Sequence, residues 1–273
     1  MEILKQNNMK KILISHEVPF CLLEKSRKFN DYDYCLPHLM DENEEYRNFF
    51  YESKKMGRYI VMDNSLHELG EAYNSERLIY WVNEIEPNEF IVPDVWEDYA
   101  ASIRNAKQWS TVEMPTNTTK VAVVQAKSMY EAGLCVQTYR DLGYKKIAFS
   151  YGAEYYHSEM CPHTNKDLGK AIGRFMVLSN FQNNKTLLPN DRVHLLGTAS
   201  PIEFGMYKNM PFIESIDTSN PIMAAIGEMP YTKMGLYMKP IANMNKYQDI
   251  SKEFVNEDIV EYNVEMFRKI NGL

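Results

Sequence analysis

The sequence predicts an α/β fold, a TIM-like (β/α)8 barrel. Three observations predict it. Short apolar runs alternate with amphipathic helical patterns along most of the chain. The runs are near-continuously apolar, as expected for parallel strands covered on both faces. Polar residues, carboxylates among them, recur where those runs end. A chain of 273 residues suits a single barrel domain over 1–273, with a core over about 11–235 and a C-terminal helical tail over 239–273.

Seven strands are legible: Lys11–Ser15, Tyr59–Asp63, Phe90–Pro93, Lys120–Gln125, Lys145–Ser150, Arg192–Gly197 and Phe212–Asp217. A closed barrel needs an eighth, expected in a short or irregular stretch within 151–190. The runner-up architecture is an open doubly wound sheet, but no GxGxxG follows the first strand and no P-loop is present. Between the strands, Asp41–Met56 is amphipathic with Gly57 as its stop, and Asn74–Ile85 carries an apolar face. Glu97–Trp109 follows the third strand. Ser128-Met-Tyr-Glu131 is a capping box opening a helix that runs to Gly143. Asp167–Phe181 and Val255–Ile270 complete the set. Gly152–Asn165 reads as a long irregular loop on the strand-end face.

Composition narrows the function classes. An apolar fraction of 45% and a charged fraction of 25% are those of an ordinary globular protein. No apolar run reaches membrane-spanning length. The start, Met1 to Asn8, lacks a signal-peptide pattern, so a cytoplasmic setting is expected. A net charge of −7 argues against broad, non-specific nucleic-acid binding. Two local basic groups stand out, Lys25/Arg27/Lys28 and Lys166/Lys170/Arg174, and a solvated face is the plain reading of each. Four cysteines at 21, 35, 135 and 161 form no CxxC pair and read as reduced. His157, Cys161 and His163 are a loose zinc-ligand set without a fourth member, so no metal is expected.

The strand ends read His16-Glu17, Asp63-Asn64, Asp94, Gln125, Ser150-Tyr151-Gly152, His194 to Gly197, and Asp217. In a parallel barrel these positions build the active site. Two of the carboxylates, Asp63 and Asp217, could divide nucleophilic and acid/base work at a glycosidic carbon, or each could cap the helix that follows. The convergent donors and acceptors suit a planar, hydrogen-bond-rich ligand such as a nucleobase. His16 could touch the sugar or base or cap a helix. Asn64 adjoins Asp63, and His67 and Glu68 follow without an assigned role, in a stretch that could lie near the pocket.

Two late motifs carry a resemblance. Val193-His-Leu-Leu-Gly197-Thr-Ala-Ser-Pro201, followed by Phe212-Ile-Glu-Ser-Ile-Asp217, resembles the His-x-x-Gly strand and nucleophile-bearing strand of the tRNA-guanine transglycosylase superfamily. The chain looks most like its DNA-modifying branch, the 7-deazaguanine DNA transglycosylases of phages and bacterial modification islands. Over roughly residues 58–220 the order also matches. Asp63 resembles the second catalytic Asp, Pro93-Asp94 the base-reading Asp, Val124-Gln125 the base-binding Val-Gln, and Ser150-Tyr-Gly152 the glycine loop against the base. The C-terminal Cys-x-Cys-x-x-Cys…His zinc site of the tRNA enzymes is missing, and so are their Gly-Gly pairs after the first Asp and after the Gln.

The resemblance implies exchange of guanine in DNA for a 7-deazaguanine base through a covalent aspartyl intermediate. Asp217 and Asp63 would be the catalytic pair. Asp94, Gln125, Tyr151, Gly152, His194 and Gly197 would bind the base, with His16 and Asn64 as possible additions. DNA (a flipped or single-stranded guanine) and the free base would be the partners, with no cofactor. The setting would be cytoplasmic, including the host cytoplasm of an infected bacterium. Exchange into tRNA, a non-catalytic base-binding subunit, and a hydrolase of a small nucleoside or sugar are the alternatives.

Overall fold

A computed structural model describes residues 11–236 and 244–273. The Met1–Asn8 segment and the first residues of the connector expected from Lys239 lie outside the described residues. Eight parallel strands form a near-closed barrel, alternating with helices. They are β1 Leu13–His16, β2 Asp33–Cys35, β3 Ile60–Met62, β4 Glu89–Ile91, β5 Thr119–Val124, β6 Lys146–Ser150, β7 Val193–Leu196 and β8 Ile213–Thr218. From β2 to β8 each strand pairs with the next, and β8 pairs with β1.

The eighth strand is not within 151–190. It is β2, three residues between the first two expected strands. Asp-Tyr-Cys offers no apolar run to read, because Asp33 is used in an ion pair with Arg58 at 2.7 Å. The 151–190 stretch instead holds a helical turn, Tyr156–Met160, and the long helix Lys166–Asn183 packed against it. The helix expected over Asp41–Met56 is two, Pro37–Glu42 and Glu44–Lys55. The chain turns extended at Asn43, whose side chain caps the second helix through Tyr46 N. Half of the capping box expected at Ser128 forms, with Glu131 N donating to Ser128 Oγ at 3.2 Å, while the Glu131 carboxylate reaches one residue further back and accepts from Lys127 N at 2.8 Å.

One seam lacks a ladder. β1 and β2 are neighbours, yet no strand pairing joins them. Side chains replace it. Asp31 N donates to Ile14 O at 2.8 Å, and Ile14 N donates to Asp31 Oδ2 at 3.0 Å. Asn30 takes both backbone groups of His16: His16 N donates to its Oδ1 at 2.7 Å and its Nδ2 donates to His16 O at 2.9 Å. The amide thus imitates the missing strand. The C-terminal helix, Glu257–Asn271, is tied across this seam. Arg268 donates to Phe29 O at 2.6 Å and pairs with Asp31, and Lys25 pairs with Glu257 at 2.6 Å.

Apolar packing divides in two. The large core lies between strands and helices. A small cluster of Ile91, Val121, Val123 and Ala148, flanked by Tyr34 and Leu196, fills the barrel interior. Below it the interior is ionic. Lys146 and Glu89, both fully buried, pair at 2.7 Å. Arg192 joins them through Glu89 at 2.6 Å and Glu214 at 2.7 Å. Buried pairs of this kind fix a unique arrangement more than they add net stability.

Removing the seam amide should be costly, because it strands two buried backbone groups of His16. Asn30→Ala is expected to lower unfolding free energy by about 2–4 kcal/mol in chemical denaturation. A loss within about 0.5 kcal/mol, the range of an ordinary surface change, would contradict this account of barrel closure.

Candidate active site

The carboxyl ends of the strands converge on one cavity of about 700 Å³, counted out into the solvent at its mouth. Five carboxylates line it, from Glu17, Asp63, Glu68, Asp94 and Asp217, and no lysine or arginine is among its described lining residues.

Asp63 follows β3 at a strained turn. Ser65 has φ 56°, uncommon for a residue with a Cβ. Three contacts hold it: Ser65 Oγ meets His38 Nδ1 at 2.8 Å, Ser65 N donates to Asp63 Oδ2 at 3.1 Å, and Leu66 N donates to Asn64 Oδ1 at 3.0 Å. Asp63 is therefore a turn-former as well as a cavity group. Burial holds its carboxyl well above the usual range, and the charge of Asp217 adds to this. Hydrogen bonds from the backbone and from Tyr34 oppose the rise.

Asp94, after β4, is gripped by two amides. Asn64 Nδ2 donates to its Oδ1 at 2.5 Å and Gln125 Nε2 to its Oδ2 at 2.6 Å. The Gln125 amide is oriented in turn by Glu97 N, which donates to Oε1 at 2.9 Å. Burial pushes the Asp94 carboxyl up to about 6 despite those two hydrogen bonds. Each oxygen keeps a free lone pair for a ligand donor.

Asp217 stands on β8, where the register with β7 slips between Val193 and His194. The slip leaves Glu214 as an extra residue, so His194 pairs with Ser215. A buried chain of hydrogen bonds results. Lys146 Nζ donates to Ser215 Oγ at 2.8 Å, Ser215 Oγ meets His194 Nδ1 at 2.8 Å, and His194 Nε2 meets Asp217 Oδ1 at 2.9 Å. A carboxylate only accepts, so the imidazole places a hydrogen on Nε2 toward Asp217, while the Ser215 hydroxyl, which accepts from Lys146, meets Nδ1. Asp217 Oδ1 therefore accepts from the ring. Gly197 N donates to both oxygens at 3.3 and 3.2 Å. Oδ2 is left the less engaged oxygen. Asp217 does not cap the next helix; there Asn220 N donates to Thr218 Oγ1.

The Gly197 loop is held from behind by Arg174, which donates to the carbonyls of Phe149, Leu196 and Gly197 and pairs with Glu203 at 2.6 Å. Arg174 is fully buried, so it belongs to no solvated basic face. Glycine is required at 197, where φ is +62° and a Cβ would lie 2.4 Å from the Tyr151 ring. Tyr151, Trp96 and His67 form an aromatic rim to the cavity; Trp96 is 41% exposed, and the His67 and Tyr151 rings meet edge-on at 6.3 Å.

Asp63, Asn64, Asp94, Gln125, Tyr151, Gly197 and Asp217 thus share one cavity. Three expected residues do not line it. His194 sits behind Asp217, stacked on Tyr34 at 6.2 Å. Gly152 faces away: its carbonyl accepts from Lys170 at 2.6 Å, and a Cβ there would lie 2.2 Å from Trp96. It seats the Trp96 ring. His16 points outward from the barrel, its ring against Phe29 and Phe267, and burial lowers its pKa to about 3. Strand alternation explains this. Ser15 is in register with Asp217, so His16 turns to the helices and Glu17 to the cavity.

Tyr34, Glu68 and Trp96 carry no sequence assignment yet line the cavity. Tyr34 was hidden with the three-residue strand that carries it. His157, Cys161 and His163 form no ligand group; His157 Nε2 is engaged by the His163 carbonyl at 3.0 Å. Among the described residues no cluster of three or more His, Cys, Asp or Glu could hold a metal ion. Among them, too, no helix is long and apolar enough to cross a membrane. The sequence matches no protein-family model, and no curated protein matches it.

The raised Asp63 carboxyl has a stability consequence. A buried acid whose folded pKa lies above its unfolded value binds its proton more tightly when folded, so stability falls as pH rises between the two values. Asp63→Asn removes that loss. It should raise the melting temperature at neutral pH and leave it nearly unchanged at about pH 4 and below, near the ordinary Asp value. Equal shifts at both pH values would show that Asp63 ionises normally in the fold.

Proposed function

We propose that this chain exchanges guanine in DNA for a 7-deazaguanine base through a covalent aspartyl-nucleotide intermediate. The observation that carries the reading is the opening of Asp63 and Asp217 into a single cavity whose wall holds the Asn64–Asp94–Gln125 set. The family resemblance of the two late motifs points the same way.

In this reading Asp217 attacks C1′ through Oδ2, the oxygen with fewer hydrogen bonds. The C1′–N9 bond breaks, and its electron pair leaves with the ring, which takes a proton from Asp63. An ester joins Asp217 to C1′. The incoming base then gives its ring N–H proton to Asp63, attacks C1′ and releases Asp217. Two inversions give net retention, the logic of retaining glycosidases. The Asp94 carboxylate accepts from the ring N–H and amino group of a guanine-like base, and Gln125 and the rim aromatics bound its plane. Anionic walls suit the oxocarbenium-like transition state. C1′ is reached only in an unstacked nucleotide, so the DNA is flipped or single-stranded at the target.

Purified protein incubated with DNA and labelled 7-deazaguanine base should incorporate label, and Asp217→Asn should lose it by about a thousandfold or more, as when a group acting only in the transition state is removed. Full activity of that variant would remove the nucleophile. A parallel arm with tRNA distinguishes exchange into the other polymer. The anionic lining favours one second reading, a hydrolase of a small nucleoside that presents no phosphate to the cavity. Release of free base without incorporation identifies it.

A further inference from the structure

We infer that Glu68 is a second proton-carrying carboxylate of this site, sharing with Asp63 the proton that the departing ring takes and the entering ring returns. The inference rests on the exchange reading above and deepens it.

Glu68 reaches the cavity from the short helix Leu66–Leu69, directly after the Asp63 turn. Its Oε2 is sealed from solvent and meets no hydrogen-bond partner among the described residues. A bare, buried carboxylate oxygen is costly, and a proton on the group removes the charge that makes it so. The groups around it push the same way. Asp63 on the β3 turn and Asp217 on β8 both act on it as like charges, and together with burial they outweigh the hydrogen bond from its own backbone N–H. Glu17 after β1, and Tyr34 on β2 line the same space, as does neighbouring His67. Tyr46, from the helix Glu44–Lys55, feels its charge, while His38, from the helix Pro37–Glu42, is turned onto Ser65. No lysine or arginine among the described lining residues offsets these carboxylates. Asp63 and Glu68 therefore titrate as a pair that holds one proton more readily than none.

The charge balance of the reaction fits such a pair. Before attack, the singly protonated pair carries one negative charge and Asp217 another. Forming the ester neutralises Asp217, and with it the charge that helped keep a proton on the pair. The pair gives that proton to the departing ring and becomes doubly ionised, so the total stays constant. When the entering base displaces Asp217, its N–H proton returns to the pair as the charge reappears on Asp217. Proton release is thereby tied to esterification of the nucleophile.

The test is the pH profile of base exchange for wild type and Glu68→Gln, which keeps the shape of the side chain. Loss of the shared proton sets the alkaline limb. With a neutral amide at 68, Asp63 loses a like-charged neighbour and ionises at lower pH, so the limb should move down by about one pH unit or more. The variant should be slower by about tenfold or more near pH 8 and approach the wild-type rate near pH 5.5. A pH-independent loss would mark a merely structural side chain and overturn the inference. A second readout needs no turnover: infrared difference spectra should show a buried protonated-carboxyl band in the wild type at neutral pH, diminished in Glu68→Gln. A wild type without the band, or a band unchanged by the substitution, overturns the shared proton. If the wild type exchanges base and the limb stays in place, the enzyme reading stands and the Glu68 role falls. If the wild type exchanges base with neither DNA nor tRNA, both fall.

Discussion

Five carboxylates share one cavity without a cation among the described residues that line it, and this constraint organises the site. Each carboxylate must be neutralised, hydrogen-bonded or left near water. The fold answers differently for four of them. Asp94 is held between two amides. Asp217 is tied to an imidazole and a backbone N–H. Asp63 takes a backbone N–H at a strained turn. Glu68 keeps one oxygen bare. The same repulsion that costs stability separates the tendencies of these groups to ionise, which lets chemically similar side chains take unlike roles.

The buried cations of the barrel interior are spent on other carboxylates. Lys146 and Arg192 occupy the barrel floor with Glu89 and Glu214. Lys146 is linked to the mouth through Ser215 and His194. His194 is thus a positioning residue for Asp217. Arg174 works similarly behind Gly197, anchoring the loop whose N–H meets both Asp217 oxygens. The site's precision comes from a polar interior where barrels more often carry branched apolar layers.

Much of this was legible in the chain alone. Seven of eight strands announce themselves as apolar runs, because a parallel strand buried on both faces needs them. The ends of those runs mark where polar groups gather, and Asp63, Asp94, Gln125 and Asp217 are found that way. The Ser128 cap fixes the start of one helix for a local reason, since the amide it accepts from is three residues away. By itself the sequence determined the barrel class, the strand-end positions and a resemblance to base-exchanging enzymes.

Tertiary structure alone decided the rest. β2 is only three residues long and partly polar, so its existence depends on β3, which pairs with it. The direction of His16 against Glu17 follows from register with β8, invisible where both faces of a strand are buried. The bulge at Glu214 brings His194 beside Ser215 and so behind Asp217. Gly152 and Gly197 stand at the strand ends in sequence, yet only packing shows that they leave room for the rings of Trp96 and Tyr151. Glu68 acquires its character from a sealed Oε2 and from the charges of residues 5 and 149 positions away along the chain. Pattern along a chain encodes which elements form, because their periodicity is local; what a side chain faces depends on contacts between elements remote in sequence.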